Sequence, residues 1–129
     1  GKIALDWPDQ HTDAAGISVN RGMARLIFNM VILAAGTLIR GGMVAIRLSE
    51  EAGEKRVKVS ASGQVIKWDE AIQNALNHIT AVEKLEPATV QAYFTGVLGD
   101  EATVTLETAQ SGEMFEIAAV MRVSETQEA

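Results

Sequence analysis

Cysteine is absent from all 129 residues, which excludes disulfides, thiolate metal ligands and cysteine nucleophiles and is compatible with a reducing cytoplasm. Positive charge is scarce. Eleven Lys and Arg stand against seventeen Asp and Glu, a net charge of −6, which argues against electrostatic capture of nucleic acid or an anionic membrane. Long hydrophobic runs are lacking too. The most apolar stretch, 26–39, contains Asn29 and Thr37 and is shorter than the roughly 20 residues a spanning helix needs, so it reads as a core helix. No basic segment followed by an apolar run opens the chain, so no secretory signal is read there. The chain does not open on Met, so Gly1 need not be the native start.

What is present suits a globular domain: 47% hydrophobic and 22% charged residues in 13.8 kDa, enough to bury one core. Ile3, Leu5 and Trp7 alternate with polar neighbours until Pro8, as in a short strand. After a polar loop with Ser18 or Asn20 as candidate cap, Met23, Leu26, Ile27, Met30, Val31, Ala34 and Leu38 keep helical spacing. Further apolar residues at Phe28, Ile32, Leu33, Ala35 and Ile39 predict a helix covered on most sides and ended by Gly41 and Gly42. A hairpin follows, with Val44, Ile46 and Leu48 and then Val57, Val59 and Ala61 inward.

Ile72, Ala75, Leu76 and Ile79 predict an amphipathic helix opened by Asp69, and Pro87 opens another, with Val90, Tyr93, Phe94, Val97 and Leu98 as its apolar set and Gly99 as its end. A second hairpin, turning at Gln110-Ser111-Gly112, places Phe115, Ile117, Ala119 and Met121 on one face. The expected architecture is α+β: a two-layer sandwich of a mixed, mostly antiparallel sheet with helices on one face. One domain spans 1–123, followed by a polar tail over 124–129.

Catalytic signatures are missing. His11 lies in a polar loop with no second spaced ligand, so a metal site there lacks support, and His78 reads as a partly exposed helix-terminal residue. Neither a G-x-S-x-G elbow nor a Walker motif occurs, and no two carboxylates pair as general acid and base.

The order of elements, with a broad apolar helix running to Arg40-Gly41-Gly42 before a hairpin, resembles the histidine-kinase ATP-binding (Bergerat) domain. The stretch 26–35 is similar to the kinase N-box helix. Asn29 matches its first Asn, while Leu33 stands at the magnesium-binding position. The stretch 57–66 resembles the strand and turn of the adenine box, with Gly63 retained, Ala61 in place of the adenine-binding Asp and Val65 in place of the second Gly. The Gly-rich phosphate lid is replaced by Leu85-Glu86-Pro87-Ala88-Thr89. Leu33 has no oxygen for a hard cation, Ala61 offers no acceptor, and a Pro-led helix lacks the glycines that wrap a triphosphate.

This set of departures, with Phe28 to Ala35, Arg40-Gly41-Gly42 and Glu86 to Phe94, resembles the C-terminal domain of ChpT-type histidine phosphotransferases along nearly the whole chain. The resemblance implies a cytoplasmic phosphorelay protein that binds no ATP, metal or other cofactor here and helps dock response-regulator receiver domains. It implies a homodimer joined through an N-terminal helical hairpin missing from this chain, with the phospho-accepting histidine upstream of Gly1 rather than at His11 or His78. No catalytic residue is then expected within these residues. Asn29, Leu33, Ala61, Gly63 and Val65 mark a degenerate nucleotide pocket. The alternative is a standalone protein-binding scaffold on the same fold. An active ATP-dependent kinase is disfavoured by Leu33, Ala61 and Val65 together.

Overall fold

The computed structural model describes residues 2–6, 21–51, 53–79, 83 and 86–122. Trp7, His11, the candidate caps Ser18 and Asn20, Leu85 and the tail 124–129 lie outside the described residues. Strand β1 (Ile3–Asp6) is followed by α1 (Arg21–Gly36), β2 (Gly42–Glu51), β3 (Glu54–Ser62), α2 (Glu70–Leu76), α3 (Pro87–Glu101), β4 (Thr105–Ser111) and β5 (Met114–Arg122). The five strands form one sheet in the order β1-β2-β3-β5-β4, antiparallel except for the β1–β2 pair. The α+β sandwich expected from the sequence is the observed architecture.

Strand alternation builds the core. Val44 and Ile46 on β2, Val57, Val59 and Ala61 on β3, and Phe115, Ile117 and Ala119 on β5 are all buried on the face that receives the helices. From α1 come Met23, Leu26, Met30, Leu33 and Ala34, and from α2 come Ile72, Ala75 and Leu76. The other face of the sheet is charged and self-paired: Asp6 with Arg47, Arg56 with Glu107 and Glu54, and Lys58 with Glu116. The Glu107 carboxylate, 2.8 Å away and accepting from the guanidinium, raises the Arg56 pKa above its ordinary value. Ala118 and Val120 are buried on this outer face, flanked by the aliphatic stems of Lys58 and Arg56 in register with them.

Several expectations need correction. The first helix ends at Gly36, not at Gly41 and Gly42, because Leu38 leaves the helix to pair antiparallel with Ile66. Gly42 is needed for another reason: at φ 148° it lets β2 pass β3, where a Cβ would fall 2.1 Å from the Ser62 carbonyl oxygen. That helix is also not covered on most sides, since Phe28 and Ile32 are exposed. In α2, Asp69 is the N-cap as expected, its carboxylate accepting from the Ile72 amide at 3.0 Å, but the helix stops at Leu76 and leaves Ile79 exposed. His78 follows in the left-handed region at φ 59°. Its ring lies against Tyr93, with Nδ1 3.5 Å from the Asp100 carboxylate.

Helix α3 is rotated relative to its expected apolar face. Thr89, Ala92, Thr95 and Leu98 are buried, while Val90 and Phe94 are exposed. The small residues allow close approach. A Cβ on Gly96 would meet the Leu76 carbonyl oxygen at 2.3 Å, and one on Gly99 would meet Leu106 at 2.9 Å. Gly99 is therefore a contact inside the helix, not its end, which comes at Glu101. The last turn is Gly112-Glu113, with Ser111 and Met114 closing the hairpin.

Candidate functional site

The five positions marked in the sequence do not converge on one open pocket. Asn29 and Leu33 lie one turn apart on α1 and are both buried. Asn29 is committed twice: its Nδ2 donates to the Arg25 carbonyl at 2.8 Å, and its Oδ1 accepts from Gln91 Nε2 on α3. Leu33 belongs to the core. Ala61 is fully buried on β3 between Val44 of β2 and Phe115 of β5. Gly63 donates its amide to the Glu113 carbonyl at 3.0 Å and passes Gly41 so closely that a Cβ would meet the Gly41 carbonyl oxygen at 2.6 Å. Its retention has a packing cause. Val65 is half-buried just before Ile66.

Trp68, unmarked in the sequence, sits at the centre of this region. Its ring stacks on Phe115 with centroids 4.2 Å apart, covering the sheet face beside Ala61. Its Nε1 donates to Gln73 Oε1 at 2.9 Å, which also accepts from Thr108 Oγ1 at 2.8 Å, tying the segment to α2 and β4. The segment is anchored on its other side by the Lys67 amide, which donates to the Thr37 carbonyl at 2.8 Å. A cleft of about 190 Å³ opens beside Leu33, Trp68, Ile72 and Gln91. A Trp directly before a capped helix is the sequence signal that points to this arrangement.

The described part of the segment compared with the phosphate lid is a helix start. The Glu86 amide donates to Thr89 Oγ1 at 2.9 Å, and Pro87 occupies the first turn, where its missing N–H costs nothing. Among the described residues no three of His, Asp and Glu gather to hold a metal, and no helix is long and apolar enough to cross a membrane. Leu33 offers no oxygen to a cation and Ala61 no acceptor to a base.

Comparison with known proteins identifies the fold and the family. The chain is 22% identical over 106 residues to the protein phosphotransferase ChpT of Brucella abortus (strain 2308), covering 82% of this chain and 51% of that protein. Its fold is similar to a bacterial phosphotransferase solved at 1.7 Å, with a TM-score of 0.73 at 21% identity over 92% of this chain and 55% of that one. It is also similar to the nucleotide-free catalytic domain of histidine kinase ThkA, with a TM-score of 0.64 at 14% identity over 95% of this chain and 80% of that one. The chain spans about half the length of the phosphotransferases it matches. A family model, the histidine phosphotransferase C-terminal domain, matches residues 1–114, and the chain belongs to that family.

Proposed function

We propose that this domain is the non-catalytic part of a phosphorelay histidine phosphotransferase, working in the cytoplasm to help dock receiver domains and binding no ATP. One observation carries the reading. The positions that would serve a nucleotide in the similar kinase domain are spent on the domain's own packing: Leu33 in the core, Ala61 buried beside Phe115, Asn29 bonded to Gln91. A fold kept after its pocket is filled retains its surface as its use.

The chemistry then belongs to a histidine outside these residues, on a helical hairpin that pairs two copies of the protein. Its imidazole nitrogen attacks the phosphorus of an aspartyl phosphate, the N–P bond forming as the O–P bond breaks and the receiver carboxylate leaves. Such transfer needs positioning and charge stabilisation, with magnesium supplied by the receiver. The test is phosphoryl transfer from a phosphorylated receiver domain, run on the protein as its gene encodes it and on this 129-residue chain in parallel. Label on the longer protein only is the expected result. Label on neither would leave a binding scaffold on a kinase-like fold.

A further inference from the structure

The outer sides of α1 and α3 present apolar side chains to solvent: Phe28 is 63% exposed, Val90 49%, Phe94 45% and Ile32 39%. Helical spacing gathers them, because Phe28 and Ile32 are one turn apart on α1 and Val90 and Phe94 one turn apart on α3. The Asn29–Gln91 hydrogen bond joins the residues next to them, so the two ridges are held side by side. Arg21 and Arg25 continue the α1 ridge beyond Phe28 and are exposed. The ion pairs among the described residues engage Arg47, Arg56, Lys58 and His78, and leave these two arginines out. Glu101 lies at the same end, lining a hollow with both.

We propose that this α1–α3 face is the receiver-docking surface, with Phe28 and Phe94 as aromatic anchors and Arg21 and Arg25 as its cationic rim. The proposal deepens the docking reading above and rests on it. Its occupant is an acidic protein surface. A receiver whose aspartate carries a phosphoryl group must hold a divalent cation on oxygen ligands and therefore gathers carboxylates at that site. Arg21 and Arg25, which make no ion pair among the described residues of a chain of net charge −6, are the complement of such a surface. The open sheet face is a poorer candidate because its charges already neutralise one another.

The test measures initial rates of phosphoryl transfer from a receiver domain of the same genome against receiver concentration, with the protein as its gene encodes it. Phe28→Ser with Phe94→Ser is expected to raise KM about tenfold or more while kcat stays within about twofold, since the anchors bind without touching the reacting atoms. Arg21→Glu with Arg25→Glu is expected to raise KM and to abolish its increase with salt. Arg47→Ser with Lys58→Ser, on the open sheet face, should leave KM unchanged. Unchanged thermal midpoints for the exposed Phe and Arg variants establish that they fold. A wild-type KM in the Phe variant, or a raised KM in the sheet-face variant, overturns the surface and leaves the docking reading standing. Loss of a dimer in the Phe variant with KM unchanged makes the face a contact between copies instead. Absence of transfer from any receiver to the unaltered protein sinks both.

Discussion

At the scale of single residues, Ala61 is the position at which the proposed absence of nucleotide binding is most directly tested. It is fully buried between Val44 and Phe115, with Trp68 stacked over the latter. Ala61→Asp would restore the residue type of an adenine box yet bury a carboxylate among hydrocarbon. The expected outcome is a loss of about 4 kcal/mol or more in urea unfolding, with no gain of Mg-ATP binding by calorimetry. A stable variant that binds nucleotide would mean that an open site faces residue 61. Asn29 is a second case. Gln91→Ala should cost about 1 kcal/mol and Asn29→Ala somewhat more, since Asn29 also donates to the Arg25 carbonyl, and the double mutant should cost about the same as Asn29→Ala alone because the Asn29–Gln91 hydrogen bond is shared. Additive losses would show the two residues to be independent.

At the scale of elements, α3 explains why its apolar pattern pointed the wrong way. Periodicity counts large hydrophobic residues, but this helix packs through small ones: Ala92, Thr95, Gly96 and Gly99. Thr95 is satisfied by donating to the Gln91 carbonyl at 2.7 Å, so its burial carries no polar debt. The large side chains Val90 and Phe94 are left for solvent or a partner. Gly96→Ala should push α3 away from the end of α2, where the Leu76 carbonyl has no room to move, and lower stability by about 2–3 kcal/mol in chemical denaturation. A neutral result would show that the α2–α3 contact yields easily. Removing the cap with Asp69→Ala should cost about 1 kcal/mol, a smaller and purely local loss.

For the whole molecule, the proposed absence of ATP binding carries a consequence for stability. A ligand present at a hundred times its Kd adds about 2.7 kcal/mol to a folded protein. Millimolar Mg-ATP is therefore expected to leave the thermal midpoint of this chain unmoved. An upward shift that saturates with nucleotide would reverse the reading of the pocket.

The sequence by itself determined the element order, the inward faces of β2, β3 and β5 and the Asp69 and Pro87 helix starts, because alternation and caps are local properties read over a few residues; the alternation in β1 misled, since Ile3 and Leu5 are exposed. It also carried the family resemblance through Asn29, Gly63 and the replaced Leu33, Ala61 and Val65. Only the tertiary structure decided where α1 stops, since Leu38 leaves it for a partner 28 positions away at Ile66. The same holds for the face that α3 turns inward, the stacking of Trp68 on Phe115, and the Asn29–Gln91 bond across 62 positions. Each depends on contacts between segments far apart in the chain, and no local period encodes them.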